Sequence, residues 1–322
     1  MPSHTSPLLL SRVAESAYWA GRYLERAEGT ARLIKAHADL IIDLPKSAGL
    51  GWGPLLALVG IDPTFVSHHP NATEDVVVHH LTADEANPSS VRSSIASVHR
   101  NLRVTRSVMP VEAAEVLIDL HNTVQDTADQ AVDRRTRNEW LSMVMRGCQT
   151  LSGILTETMT HDDAYCFFSV GRRLERADLT ARVLDVQSAV LTGRTPDQMV
   201  PYNELRWTAA LRSVSALQSF RRSGASSTGE ATVAFLLHDA KCPRTIESCL
   251  VESSRWLLEI PGHEEPMAAC ASISAMVQDI DVEQLIDGRL HDFSEALQES
   301  ISMLHSRIEA TWFAPDHAAV GS

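Results

Sequence analysis

Residues 21–34 read GRYLERAEGTARLI, and residues 171–184 read GRRLERADLTARVL. At this offset of 150, nine of the fourteen positions are identical, and Glu28/Asp178, Leu33/Val183 and Ile34/Leu184 are near-equivalents. The first copy lies inside a seam of Val13, Ala17, Ala20, Leu24, Ala27, Ala31, Ile34 and Ala38, spaced 4-3-4-3-4-3-4. That spacing marks one face of a long helix, and its alanines require a partner helix to approach closely. Working outward, the spacing recurs at Ala113, Leu117, Leu120 and Val124, and at Trp140, Val144, Gly147, Leu151 and Ile154. A last run covers Ile286, Leu290, Phe293, Leu297, Ile301, Leu304, Ile308 and Trp312. The best strand candidates, Val76–Val78 and Met199–Val200, are short, and Pro201 cuts off the second. The fold class read from these patterns is all-α, a helical bundle.

The correspondence continues past the quoted stretch. At an offset of 155, as if five residues were added near Thr192 to Pro201, Trp52, Leu56, Val59 and Phe65 meet Trp207, Leu211, Val214 and Phe220. Leu81, Asp84, Pro88, Val91, Ile95, Arg100 and Leu102 then meet Leu236, Asp239, Pro243, Ile246, Leu250, Arg255 and Leu257. Such self-similarity reads as two tandem pseudo-repeats. We place the first at 8–135, the second at 136–314 with a bridging helix over about 138–158, and a frayed tail at 315–322. Pro88 and Pro243 are expected in the first turn of a helix, and Asp84 and Asp239 should accept bonds from turn amides just before. The stretch 67–87 reads as the longest irregular loop of the first half, with a Ser/Gly-rich counterpart at 223–229 in the second.

Composition narrows the function classes. The 322 residues carry a net charge of −13 and 5% aromatics, against nucleic-acid binding through a general basic surface or base stacking. The longest apolar stretch, 54–61, falls far short of the roughly 20 residues of a membrane helix, and no signal peptide is legible at the start. Five cysteines without a CxxC pair fit a reduced, cytoplasmic chain. There is no GxxxxGK[ST], no strand-borne GxGxxG and no HExxH. The histidine clusters at His68-His69, His79-His80, His161 and His263 have no matching copies and read as loop histidines; no metal site is assigned.

The charges of the repeated stretch stand out. Tyr18, Glu25 and Arg32 project into one row off the alanine seam, with Arg22 beside them, and Glu28–Arg32 and Asp178–Arg182 have the favourable spacing for acid–base pairs. Trp19, Tyr23 and Gly29 are replaced by Ser169, Arg173 and Leu179, yet Arg22/Arg172, Glu25/Glu175, Arg26/Arg176 and Arg32/Arg182 are unchanged. Solvated positions drift fastest, so these charges have a specific task. Two readings stand: a buried inter-helix ion-pair network, or a site whose guanidinium groups grip a carboxylate or phosphate. The candidate ligand- or partner-binding residues are therefore Arg22, Glu25, Arg26, Arg32, Arg172, Glu175, Arg176 and Arg182. Tyr18, Asp84 and Asp239 are secondary candidates, and no catalytic residue is assigned.

The segments LERAEGTAR (24–32) and LERADLTAR (174–182), the Gly-Arg before each, and the stretch SRVAESAYWAGRYLERAEGTARL (11–33) resemble the bacterial alpha-E family over nearly the whole chain. The resemblance implies a helical fold with a Glu-Arg motif, carried here by Glu25, Arg26, Glu175 and Arg176. It further implies the company of circularly permuted ATP-grasp proteins and transglutaminase-like peptidases in an amide- or peptide-bond-forming system. This chain would be the non-catalytic or co-catalytic helical partner, with ATP and Mg on the ATP-grasp ligase and no cofactor here. The alternatives are a stand-alone enzyme using Glu25 or Glu175 as acid/base group, and a purely structural scaffold.

Overall fold

The computed structural model describes residues 11–58, 73–191 and 197–313. Helix is the regular secondary structure throughout these residues, and no strand occurs among them. The helices are α1 (Ser11–Asp43), α2 (Gly53–Leu58), α3 (Glu74–Thr82), α4 (Val91–Val104), α5 (Val111–Thr127), α6 (Arg134–Thr158) and α7 (Asp163–Leu191). They continue with α8 (Asn203–Ser213), α9 (Leu217–Ser223), α10 (Gly229–His238), α11 (Ile246–Leu258), α12 (Glu264–Gln278) and α13 (Leu290–Ile308).

The long helices α1 and α7 form the centre and make the most extensive contact in the molecule. Around α1 pack α4, α6 and α8; around α7 pack α11, α13 and α2. The outer layers close in the same order, α4 on α5 on α6 and α11 on α12 on α13. The helix expected to bridge the two halves, α6, lies against α1 and α5. Because neighbours surround it, α1 is buried on almost every face from Ala14 to Leu40, charged residues included. An amphipathic stripe is what a surface helix shows; a helix covered on every side has no solvent face to keep polar.

Two glycines set the spacing of the central pair. A methyl group on Gly21 would lie 2.2 Å from the carbonyl oxygen of Phe168, and one on Gly171 would lie 2.2 Å from that of Tyr18. The helices therefore touch backbone to backbone at these glycines, on a face of α1 beside the alanine seam. The side-chain pairs across this contact are separated by 147 to 153 residues in the chain. A nearly constant separation means that α1 and α7 run in the same direction, in register.

Several local expectations need correction. Val76–Val78 belongs to α3, with Val77, Val78 and Leu81 buried on one side. Glu74 and Asp75 in its first turn complement the helix dipole. This helix interrupts the loop expected over 67–87, and places His79 and His80 on a helix. Met199–Val200 lies in a 3-10 segment, Asp197–Tyr202. Pro88 and Pro243 stand two residues ahead of the N-caps rather than inside the first turn. The caps are Ser90, accepting from the Ser93 amide at 3.1 Å, and Thr245, accepting from the Ser248 amide at 3.4 Å. The C-terminal periodic run is broken before α13, where Gly288 takes φ of 107°. Phe65, His68-His69 and the tail at 315–322 lie outside the described residues.

Candidate functional site

The Glu-Arg pairs meet each other across the central helix contact. Glu175 on α7 receives Arg22 and Arg26 from α1: Arg22 Nε donates to Oε2 at 2.5 Å, and Arg26 donates from Nε to Oε1 at 2.5 Å and from Nη2 to Oε2 at 3.0 Å. Glu25 on α1 receives Arg172 and Arg176 from α7: Arg172 Nη2 at 3.2 Å, and Arg176 from Nε at 2.9 Å and Nη2 at 2.7 Å. The arrangement is reciprocal, each helix supplying the carboxylate for the other's arginines. Of the two readings left open above, the buried inter-helix network is the arrangement found: Glu25 is 1% exposed, and Arg22, Arg172, Glu175 and Arg176 are buried with it. Glu25 lies off the alanine seam, on the face of α1 that meets α7.

Arg32 pairs with Glu28 one turn earlier, and Arg182 Nε with Asp178 Oδ2 at 2.9 Å. Tyr18 is fully buried; its oxygen accepts from Arg22 Nη1 at 3.0 Å and lies 2.9 Å from His305 Nδ1 on α13. Arg22 uses one lone pair of the tyrosyl oxygen, and the hydroxyl keeps its proton and a second lone pair for the bond with Nδ1. Burial and the neighbouring Arg22 lower the His305 pKa, in keeping with a neutral ring. Asp84 and Asp239 stand apart from this network as turn-formers. Asp84 Oδ1 accepts from the Ala86 amide at 2.9 Å, and Asp239 Oδ1 from the Lys241 and Cys242 amides at 3.0 and 2.7 Å.

Sequence reasoning missed Arg244. From the turn before α11 it reaches Glu25 Oε1 with Nη1 at 2.6 Å and Glu28 Oε1 with Nη2 at 3.1 Å. Gln149 on α6 also donates to Glu28 at 3.1 Å, and Arg172 bonds Ser152. The available signal was the alignment of Pro88 with Pro243, which sets Ser89 against Arg244 in an otherwise matched turn.

Electrostatics fix the protonation states. Burial opposes ionisation of Glu175, but Arg26 and Arg22 overcome it and pull its pKa down to about 2. Glu25 is likewise held well below the usual carboxylate range: burial raises its pKa, and Arg176, Arg244 and Arg172 more than reverse that. For Arg172, burial wins over Glu25 and its pKa falls to about 10. Both glutamates are thus fixed anions, suited to holding charge and unsuited to proton donation near neutrality.

One edge of the network is open. A cavity of about 190 Å³ is lined by Arg26, Thr30, Ser89, Glu175, Asp178 and Arg182, among others. Here the side chain of Arg26 is 24% exposed and that of Arg182 31%. Among the described residues no three His, Cys, Asp or Glu side chains are grouped as metal ligands. His80 Nδ1 pairs with Asp84, His161 stacks on Tyr165, and His263 bonds the Ile260 carbonyl. The five cysteines are buried and none is in a disulfide. No helix is long and apolar enough to cross a membrane among the described residues.

The family model described as "a predicted alpha-helical domain with a conserved ER motif" matches residues 9–313, and the two Glu-Arg pairs are the centre of the network just described. The chain belongs to the Alpha-E family. Relatives of this Alpha-E chain include an uncharacterized protein of Mycobacterium bovis and two of Mycobacterium tuberculosis strains. Each is 24% identical over 270 residues, covering 78% of this chain and 30% of the relative. The chain thus spans under a third of the length of the curated relatives it matches. No solved structure matches it.

Proposed function

We propose that this Alpha-E chain is the non-catalytic or co-catalytic helical partner of a circularly permuted ATP-grasp protein in an amide- or peptide-bond-forming system. The observation that carries this reading is that the relatives hold the matched domain as 30% of a longer chain. A helical unit joined to other sequence is what a module working with a companion looks like. In this division of labour the partner binds ATP and Mg and activates a carboxylate, while the helical chain holds or presents the acceptor. A transglutaminase-like protein is a further component, the setting is the cytoplasm, and neither nucleic acid nor membrane is a partner.

The site geometry agrees with that role. Glu25 and Glu175 are saturated with arginine donors and fixed as anions, which suits positioning better than acid–base turnover. The cavity beside Glu175 offers a place for a polar group. The test is reconstitution. Affinity capture with this chain from its native cytoplasm should recover an ATP-grasp protein, and that protein should consume ATP and form amide faster with the chain present. Turnover by the purified chain alone would establish the stand-alone enzyme instead. An ATP-grasp protein equally active without the chain would remove the partner role.

A further inference from the structure

The Glu25 and Glu175 sites are built alike and filled differently. Each carboxylate takes a two-nitrogen fork from one arginine, Arg176 or Arg26, and one further bond from a second, Arg172 or Arg22. Glu25 then takes a fourth bond, at Oε1, from Arg244, whose other terminal nitrogen reaches Glu28. A carboxylate has about four acceptor positions, so Glu25 is complete. Among the described residues, Glu175 Oε1 accepts from Arg26 alone. The position matching Glu28 is Asp178, whose Oδ2 is held by Arg182 while Oδ1 has no partner among the described residues. The position matching Arg244 is Ser89, with one oxygen and no positive charge. Ser89, Glu175 and Asp178 all line the 190 Å³ cavity, which therefore lies where the other site holds a guanidinium.

We propose that this cavity binds a guanidinium group from outside the chain, bridging Glu175 Oε1 and the Asp178 carboxylate as Arg244 bridges Glu25 and Glu28. The nearby arginines do not forbid a third cation. Arg244 sits between Glu25 and Glu28 although Arg176 and Arg32 hold those same two carboxylates, just as Arg26 and Arg182 hold Glu175 and Asp178. Two acceptors on different side chains favour a planar group with two separate N–H edges over the single compact head of an ammonium. The group comes either from a small molecule or from an arginyl side chain of a peptide. This binding needs no companion protein, so it stands or falls apart from the partner role.

The test is calorimetric titration of the purified chain with methylguanidinium, with methylammonium, and with a blocked tripeptide carrying a central arginine. Methylguanidinium or the tripeptide should bind with a dissociation constant of about 1 mM or below, and methylammonium about tenfold more weakly. Tighter binding of the tripeptide than of methylguanidinium identifies a peptide source; equal or weaker binding identifies a small molecule. Asp178→Asn should weaken binding by about tenfold or more, through loss of a charge-assisted contact. Ser89→Arg should abolish it by placing the chain's own guanidinium in the cavity. Absence of binding by both guanidinium probes, or unchanged binding in folded Asp178→Asn, overturns the proposal.

Discussion

Replacing Gly21 by alanine tests the close contact on which the whole network depends. In an unobstructed helix interior such a change stabilises by about 1 kcal/mol. Gly153 on α6 has nothing within 4 Å of a new methyl group, so Gly153→Ala should show that gain. At Gly21 the methyl would sit 2.2 Å from the Phe168 carbonyl oxygen and 3.1 Å from the Arg172 amide nitrogen, both backbone atoms that cannot rotate away. Restoring ordinary contact moves α1 from α7 by about 1 Å, and an overpacked core costs about 1–3 kcal/mol. The same movement stretches interhelical bonds that now measure 2.5 to 3.2 Å. Hydrogen bonds to charged groups contribute about 1.5–3 kcal/mol each, so loosening one or two brings the net loss to about 3–5 kcal/mol. That is a large share of a total stability of about 5–15 kcal/mol. Gly171→Ala should behave like Gly21→Ala, since it meets Tyr18 in the same way. Gly29→Ala should cost less, because it meets only the movable side chain of Leu179. Urea unfolding followed by far-ultraviolet circular dichroism orders the four variants. Gly21→Ala as stable as Gly153→Ala would refute the backbone-contact argument.

Three further outcomes follow from the same geometry. Because the folded-state pKa of Glu175 is lowered to about 2, its ionised form favours the folded chain. That contribution, about 3 kcal/mol, is present above pH about 4.5 and is lost as pH falls toward about 2; stability measured across this window should flatten in a folded Glu175→Gln variant. Arg176→Ala removes the fork on Glu25 and the bond to the Pro243 carbonyl, and should cost about 3–5 kcal/mol. Arg244→Ala leaves Glu25 three bonds and should cost only about 1–3 kcal/mol, so equal melting temperatures for the two variants would contradict the assigned hierarchy. Ser90→Ala and Thr245→Ala each remove an N-cap acceptor and should cost about 1 kcal/mol in chemical denaturation, with an unchanged ligand response.

Much of this was legible in the residues. The 4-3 spacing of alanines located α1, and the unchanged Arg22, Glu25, Arg26 and their counterparts located the network. Periodicity failed where a run was too short to distinguish helix from strand, as at Val76–Val78. It also failed to say how charges were buried, because a helical projection assigns faces but not neighbours. Off-seam positions became interior when α7 covered them. Arg244 escaped because its role comes from a turn, brought to Glu25 by the packing of α11 on α7. Turns carry no periodicity to read, and only the contrast with Ser89 marks the position.

The parallel, in-register pairing of α1 with α7 also bears on how the chain acquires its structure during synthesis. Helix α1 is made first, yet the carboxylate and arginines that match its own belong to a helix about 150 residues later. At about 5–20 residues per second, roughly 8 to 30 seconds of translation separate the two. Throughout that interval the side of α1 that carries Gly21 and the charges of Arg22, Glu25 and Arg26 lacks the helix that covers it in the finished fold. The amino-terminal half is therefore an unfinished object rather than a free-standing unit. Separate halves made together in one cell should find each other, while either half made alone should depend on chaperones to stay in solution.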